Sequence, residues 1–103
     1  MDLSITTTDA DGTRLVSVVG EVDVSNAGEL RSAVDAALSE HPGRVEVDLS
    51  QVAYIDSTGI GVLVGASHHA DEAGCDFEVT HPQPNVRRVL GLLGVEKELN
   101  VEG

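Results

Sequence analysis

The amino-acid sequence predicts an α/β fold with a four-stranded mixed sheet and helices packed mainly on one face. Two strand-like segments separated by a turn open the chain, and strand-like and helix-like segments alternate after them. This alternation is typical of parallel strands joined by right-handed crossovers, so we expect an N-terminal hairpin followed by parallel β-α-β units. The 103 residues suit one core and no change in composition marks a linker, so residues 1–103 are predicted to form a single domain.

The N-terminal hairpin is predicted from residues 3–8 and 14–22. Apolar and polar residues alternate in the first stretch, and the D-A-D-G between the two stretches is a turn signal. The period then changes to that of a helix, with an apolar stripe formed by Ala27, Leu30, Val34, Ala37 and Leu38. Ser25 or Asn26 can cap this helix, and Glu29 stands three residues after Asn26 in capping-box spacing.

The next strand, predicted over residues 44–50, indicates how the sheet is covered. Val45, Val47 and Leu49 face one way, and the charged residues between them face the other. A strand covered on both faces is apolar throughout, so this alternation predicts helices mainly on one side of the sheet.

Two further helices and a fourth strand complete the predicted fold. A helix is expected from about Thr58 to Ala73, a strand over 75–79, and a last major helix from Pro84, a residue that suits the first helical position. Gly94 can end that helix, and the tail V-E-K-E-L-N-V after it can form a short further turn of helix.

The composition restricts the possible functions. A net charge of −12 opposes binding to nucleic acid or to an anionic membrane surface. Cys75 is the only cysteine, which excludes an intrachain disulfide and any metal site built on several cysteines. The longest apolar run is too short to span a bilayer, and no signal-peptide pattern opens the chain, so a soluble cytoplasmic protein is expected.

The basic residues are unevenly placed. No Lys or Arg lies between Arg44 and Arg87, whereas the same interval contains seven acidic residues. Either this is an acidic surface that keeps the protein soluble, or the region meets a basic partner. Charge alone leaves both interpretations open.

The segment D-S-T-G, residues 56–59, lies where the third strand ends and the second helix begins. This junction falls at the carboxyl edge of the parallel strands, where sites usually lie in open α/β sheets. Ser57 is expected at or near the helix N-cap, where backbone N–H groups and the positive end of the helix dipole tolerate a phosphate. Two interpretations stay open: Ser57 caps the helix while the glycines allow a tight turn, or the segment is a site for modification or anion binding.

Three glycines, Gly59, Gly61 and Gly65, occupy the first turns of that helix. A helical glycine costs roughly 1 kcal/mol relative to alanine. If the apolar stripe of the helix faces the sheet, Gly61, Val62 and Gly65 point toward solvent, where a glycine gains nothing from the core. A partner surface explains this cost better than internal packing.

Motifs for catalysis and metal binding are absent from the sequence. Ser57 lies in I-D-S-T-G rather than G-x-S-x-G, no G-x-x-x-x-G-K-[ST] is present, and the glycine spacing over 59–65 does not suit a dinucleotide. His68 and His69 point about 100° apart on a helix and do not easily share a metal. The sequence therefore predicts a protein that is not an enzyme and uses no cofactor and no metal.

Three segments resemble the STAS family, and within it the bacterial anti-sigma factor antagonists. They are V-V-G-E-V-D at 18–23, V-D-L-S-Q-V-A-Y-I-D-S-T-G-I-G-V-L-V-G at 47–65 and P-Q-P-N-V-R-R-V-L-G-L-L-G-V at 82–95. They occur in family order and at family spacing, and D-S-T-G-I-G is the most specific part. The departures are G-L-L-G at 91–94, where relatives often have a more polar helix end, and the pair His68-His69, at positions where relatives vary.

The resemblance implies a STAS fold and a phosphorylation switch at Ser57. In the family this serine is phosphorylated by the partner itself, an anti-sigma factor serine kinase with a histidine-kinase-like ATPase fold, and a serine phosphatase reverses the reaction. The unphosphorylated protein binds the kinase and frees a sigma factor, so phosphorylation switches binding off. Asp23 and Asp56 are implied beside the phosphoacceptor. Thr58 is the rival acceptor, disfavoured because its hydroxyl is expected to turn partly inward.

The predicted partner-binding residues are Asp23, Asp56, Ser57, Thr58, Gly59, Gly61, Val62 and Gly65. Because no base between Arg44 and Arg87 can capture a phosphate, we expect a direct effect at the interface with little conformational change. Two other STAS functions stay open: a subunit docked on a transporter ATPase, and a small-molecule or nucleotide sensor. The sensor is disfavoured because Tyr54 and Phe77 are the only aromatic residues.

Overall fold

The computed structural model describes residues 2–102, and its helices and strands follow the predicted order. They are β1 (Leu3–Ala10), β2 (Thr13–Val22), α1 (Ala27–Ser39), β3 (Arg44–Ile55), α2 (Ser57–Glu72), β4 (Asp76–Thr80) and α3 (Pro84–Leu92). The strand order in the sheet is β1-β2-β3-β4, with β1 antiparallel to β2 and the other neighbours parallel. The predicted mixed sheet, a hairpin followed by parallel β-α-β units, is confirmed.

A two-residue turn closes the hairpin between β1 and β2. Ala10 pairs with Thr13, which leaves Asp11 and Gly12 in the turn with φ values of 50° and 82°. Two positive φ values define a type I′ turn, whose twist matches that of the flanking strands. Aspartate and glycine enter this region at low cost, which is why the chain reverses here.

β3 is longer than the strand predicted over 44–50, because it continues to Ile55. Two register shifts against β2 each place an extra residue in β3. After Leu49 the buried positions of β3 therefore change their spacing from two residues to three. The simple alternation by which a strand is recognised in a sequence stops at the first bulge.

The carboxyl half of β3 extends beyond β4, whose last residue is Thr80. Two side chains at the start of α3 bond to the carbonyl groups of this extension. Gln83 Nε2 donates to Ser50 O at 3.0 Å, and Asn85 Nδ2 donates to Ala53 O at 2.8 Å. These contacts hold the strand end that leads into α2.

The helices pack on one face of the sheet, as predicted. Their buried side chains form a hydrophobic cluster with strand residues such as Val16, Val45 and Phe77. The opposite face of β3 carries Glu46 and Asp48, which are partly exposed. Within residues 2–102, no helix has the length and apolar character needed to cross a membrane.

The segment after α3 covers the open edge of β4. Residues 96–100 form hydrogen-bonded turns rather than a helix, and Leu99 is fully buried. Val79 N donates to Leu99 O at 3.0 Å, and Glu102 N donates to Val79 O at 2.9 Å. Because an open strand edge invites pairing with other chains, this segment protects the sheet on that side.

Candidate functional site

The β2–α1 loop and the β3–α2 junction lie side by side at the carboxyl edge of the sheet. β2 and β3 are parallel neighbours whose last residues, Val22 and Ile55, are paired. The backbone N–H of Asp56 donates to Val22 O at 3.1 Å and joins the two segments. Asp23 and Asp56 follow directly on the paired residues, so the structure brings together the two aspartates that the resemblance placed beside Ser57.

Asp56, and not Ser57, caps α2. Asp56 Oδ1 accepts a hydrogen bond from Gly59 N at 3.0 Å, and the Asp56 carbonyl accepts one from Ile60 N at 3.0 Å. A carboxylate here also meets the positive end of the helix dipole. The interpretation in which Ser57 caps the helix is therefore wrong, because Ser57 is the first helical residue.

The side chains of Ser57 and Thr58 are free of bonds within the fold. Both residues are exposed, and among residues 2–102 neither side chain forms a hydrogen bond with another residue. The Thr58 hydroxyl was expected to turn partly inward if Ser57 were the cap. Because Asp56 is the cap and Thr58 is exposed, that expectation is wrong. Exposure alone does not separate the two candidate acceptors.

Gly59 is buried where α2 meets the strand ends. A Cβ atom at this position would lie 2.7 Å from Val22 Cγ1 and 2.8 Å from Ile55 Cγ1, closer than real Cβ atoms approach their neighbours. The first turn of α2 therefore approaches β2 and β3 so closely that a larger residue fits only if the side chains of Val22 and Ile55 shift. Internal packing accounts for this glycine.

Hydrogen bonds within the β2–α1 loop hold the Asp23 carboxylate. Its Oδ1 atom accepts from Ser25 N at 2.9 Å and from Ser25 Oγ at 2.5 Å. The bond from the Ser25 hydroxyl is the main reason that the pKa of Asp23 is lowered. Asp23 is therefore ionised at neutral pH.

Asn26 stands at the N-cap of α1, but its side chain does not cap the helix. It bonds backwards to the loop: Asn26 Oδ1 accepts from Asp23 N at 2.9 Å, and Asn26 Nδ2 donates to Glu21 O at 2.9 Å. The predicted capping box between Asn26 and Glu29 is therefore wrong. The amide instead fixes the loop that carries Asp23.

A shallow groove of about 160 Å³ lies between α1 and α2. Its lining residues are Arg31 and Asp35 from α1 and Gly61, Val62, Gly65, Ala66 and His69 from α2. As predicted, Gly61 is exposed and Gly65 is partly exposed. A Cβ atom added to Gly61 or Gly65 would meet no heavy atom within 4 Å, so packing inside the protein requires neither glycine.

The solvent-facing position predicted for Val62 is wrong. Its side chain is only 6% exposed, because α1 packs against this side of α2. The sequence indicated only the sheet as a packing partner of α2, which left Val62 on the side expected to face solvent. Val62 shapes the groove while most of its surface lies in the core.

Sequence reasoning missed two residues near this edge. Val24 follows Asp23 and is 76% exposed, which leaves an apolar side chain next to the site. Arg31 lines the groove although it is remote in sequence from residues 56–65. Val24 could have been found, because a valine in an otherwise polar loop indicates an exposed apolar side chain. Nothing in the linear sequence connects Arg31 to the site.

The two adjacent histidines have different neighbours. His68 Nε2 lies 3.5 Å from Glu98 Oε2, and His69 lines the groove. Within residues 2–102, no group of three or more His, Cys, Asp or Glu side chains is arranged to hold a metal ion.

The fold and the site define a small α/β domain that presents an exposed serine and two aspartates at the carboxyl edge of its sheet. The model of the family described as "Mlab, STAS domain" matches residues 5–101. The chain therefore belongs to the STAS family.

Three proteins to which the chain is similar are anti-sigma factor antagonists. It is 27% identical over 95 residues to the anti-sigma-F factor antagonist RsfB of Mycobacterium tuberculosis, which covers 92% of this chain and 77% of that protein. It is 28% identical over 101 residues to the anti-sigma-B factor antagonist of Staphylococcus aureus, covering 98% and 94%. The crystal structure of an anti-sigma factor antagonist from Mycobacterium paratuberculosis matches with a TM-score of 0.90 at 29% identity, covering 98% of this chain and 86% of that chain.

Proposed function

We propose that this chain is an anti-sigma factor antagonist whose binding to its partner is switched by phosphorylation of Ser57. The observation that carries the proposal is Ser57 itself, exposed and free of internal hydrogen bonds at the head of α2, next to Asp23 and Asp56. Relatives named anti-sigma factor antagonists match nearly the whole chain and support this role. They indicate a regulatory binding protein rather than an enzyme.

In the proposed cycle, the unphosphorylated protein binds an anti-sigma factor serine kinase with a histidine-kinase-like ATPase fold and so releases a sigma factor in the cytoplasm. The kinase transfers the γ-phosphoryl group of ATP to Ser57. A P–O bond to Oγ forms, the bond to ADP breaks, and the hydroxyl proton passes to a base of the kinase. A serine phosphatase hydrolyses the phosphoserine and restores the binding form.

The position of Ser57 permits this modification without a change of fold. As the first residue of α2, Ser57 lies where backbone N–H groups point outward and the helix dipole favours negative charge. The side chain contacts no partner that a phosphate would displace. We therefore expect the backbone of the phosphorylated protein to match that of the unmodified protein.

Repulsion and bulk explain how the phosphate switches binding off. The phosphate adds about −1.5 to −2 charges beside carboxylates that are already present. Two unit charges about 6 Å apart interact by roughly 3 kcal/mol at an effective dielectric constant near 20. One or two such repulsions with acidic groups of the partner weaken binding by about 10²- to 10⁴-fold, because 1.4 kcal/mol is tenfold.

Substitution of Ser57 tests the proposed switch. Ser57→Ala is expected to bind the kinase constitutively, and Ser57→Asp is expected to bind at least about 100-fold more weakly, because only the second places a charge at this position. The measurement is the dissociation constant with the anti-sigma factor kinase of the same genome. Equal binding by the two variants would exclude Ser57 as the switch.

Thr58 provides the matched control. Thr58→Ala and Thr58→Asp change the neighbouring exposed hydroxyl in the same way, and we expect Thr58→Ala to remain a substrate of the kinase. Phosphopeptide mapping after incubation with kinase and ATP identifies the acceptor directly. If the kinase phosphorylates Thr58 in the protein that carries no substitution, Thr58 and not Ser57 is the switch.

The other STAS functions receive less support from the site. The groove next to Ser57 and the aspartates, of about 160 Å³, is smaller than the 300–1,000 Å³ typical of ligand pockets, and two larger depressions of about 320 and 490 Å³ are lined mainly by charged and polar side chains. Phe77 is 4% exposed within the core, which leaves Tyr54, 44% exposed, as the single aromatic side chain on which a base can stack. Docking on a transporter ATPase would use the same surface without turnover of phosphate on Ser57, so phosphate turnover in cells separates that function from the proposed one.

A further inference from the structure

We propose that Arg31 of α1 captures the phosphate on Ser57, so that phosphorylation also withdraws the Arg31 guanidinium from a partner. This rests on the proposed function only for the presence of a phosphate on Ser57. It assigns to this chain a residue that responds to the phosphate, in addition to the repulsion between phosphate and partner.

Arg31 lies across the groove from Gly61, which follows Ser57 by one turn of α2. Each of the two helices connects neighbouring parallel strands, so α1 and α2 run in the same direction. Arg31 lines the groove together with Gly61. Ser57 stands four residues before Gly61 on the same face, one turn of about 5.4 Å nearer the helix start. Helical side chains lean toward the N-terminus, so the side chain of Arg31 leans toward the level of Ser57.

Glycine at position 61 keeps the space between these two side chains open. A Cβ atom there would meet no heavy atom within 4 Å, so the fold itself does not need glycine at this position. A larger side chain at 61 would narrow the groove that Arg31 lines. The proposed ion pair explains why an exposed position of the helix is occupied by glycine.

Arg31 is available for a new partner. It is exposed, and it takes part in none of the ion pairs within residues 2–102. By contrast, Arg14 and Arg44 each contact two carboxylates of this chain. Arg31 is also the only Lys or Arg in α1 or α2. An unpaired guanidinium matches the oxygen geometry of a phosphate and binds it through two N–H groups.

A phosphate on Ser57 needs a cation because acidic groups adjoin it. Asp23 is ionised, and Asp56 lies at the head of the same helix. The sequence indicated no latch, because no base lies between Arg44 and Arg87. The fold supplies such a base from α1, namely Arg31. Because only its side chain has to move, we still expect little change in the backbone on phosphorylation.

The test uses the full chain with phosphoserine incorporated at position 57 during translation, so that no kinase is needed. The second ionisation of phosphoserine has a pKa of about 6, and ³¹P NMR follows it directly. A neighbouring guanidinium favours the dianion, so Arg31→Ala is expected to raise this pKa by about 0.5–1 unit. Arg31→Lys keeps the charge without the two-pronged contact and is expected to raise the pKa by less.

Arg88→Ala is the matched control, because it removes an exposed arginine from α3 with the same change in net charge. It is expected to raise the phosphate pKa by less than about 0.2 unit, since α3 packs against β3 rather than along the α1–α2 groove and salt screens the charge of an exposed arginine. Equal shifts for Arg31→Ala and Arg88→Ala would overturn the ion pair, even if Ser57 is the switch. A shift specific to Arg31, with kinase binding unaffected by phosphorylation, would support the ion pair and contradict the proposed function.

Discussion

The two edges of the parallel strands differ in how charge is compensated. At the amino edge, ion pairs within the chain join Arg14 to Asp9 and Glu40, and Arg44 to Glu46 and Glu78. At the carboxyl edge, Asp23 and Asp56 accept hydrogen bonds from hydroxyl and backbone N–H groups instead. Arg31 is the arginine that lines the adjoining groove, and it forms no ion pair with an acidic residue in the described part of the chain.

This difference separates stability from recognition. Glu46 lies directly opposite Glu78 on the neighbouring strand, an arrangement that is repulsive until Arg44 contacts both carboxylates. Among residues 2–102, no Lys or Arg side chain forms an ion pair with either aspartate at the other edge. The charges at the amino edge are compensated within the chain and stabilise the sheet, whereas in the proposed function the charges at the carboxyl edge meet a phosphate or another protein.

The largest expected effect comes from comparing the loss of Arg44 at the amino edge with the loss of Arg31 at the carboxyl edge. Removing one partner of a buried ion pair costs about 3–5 kcal/mol. The Glu78 side chain is 12% exposed but that of Arg44 is 38% exposed, so we expect Arg44→Ala to lower the free energy of unfolding by about 2–3 kcal/mol. Arg31→Ala is the matched control and is expected to change it by less than about 0.5 kcal/mol. Urea unfolding gives both values, and equal losses would mean that the edges do not differ.

Two glycines of α2 sharpen the comparison within the carboxyl edge itself. Gly59→Ala is expected to lower the free energy of unfolding by about 1–2 kcal/mol, because the new methyl group meets Val22 and Ile55. Gly61→Ala enters open space and is expected to raise it by up to about 1 kcal/mol through helix propensity. Thermal or urea unfolding of the two variants measures the contrast. Losses of the same sign and size would contradict the assignment of Gly59 to packing and Gly61 to the groove.

The order of the helices and strands could be predicted because the spacing of the hydrophobic residues along the sequence changes clearly from one element to the next. The alternation of Val45, Val47 and Leu49 was enough to place the helices on one face. The continuation of β3 from residue 50 to Ile55 could not be predicted from the alternation, because two bulges interrupt it and the last residues of β3 pair with β2 alone. Bulges depend on the register between strands, which a single sequence does not display.

The centre of the site could be predicted, and its surroundings could not. Asp56 and Ser57 stand at the strand-to-helix junction that the sequence located, whereas the place of Asp23 beside them was implied only by the family resemblance. The cap was assigned wrongly because serine and aspartate are both favoured at that position. Val62 and Arg31 depend on how α1 packs against α2, and distance along the chain does not reveal that contact.

The smallest expected effect concerns how Asp23 is held. Ser25→Ala removes the hydroxyl that lowers the pKa of Asp23, so that pKa is expected to rise toward its ordinary value of 3.8. The pKa in the folded protein lies below that of the unfolded chain. The contribution to stability is therefore complete above the unfolded pKa and is lost as pH falls through the folded pKa, in the region below about 4. NMR titration of the Asp23 carboxyl carbon measures the change.

Salt distinguishes this hydrogen bond from the ion pairs at the amino edge. Ion pairs near the surface weaken as ionic strength rises, whereas a bond from a neutral hydroxyl is hardly screened. The lowered pKa of Asp23 is therefore expected to persist at high salt, while the stability lost in Arg44→Ala becomes smaller. Ser39→Ala, which removes an exposed helical serine that bonds to Ala36 O, is the control and should leave Asp23 unchanged. A pKa of Asp23 that returns to its ordinary value in salt would show that charge, and not the Ser25 hydroxyl, holds this carboxylate.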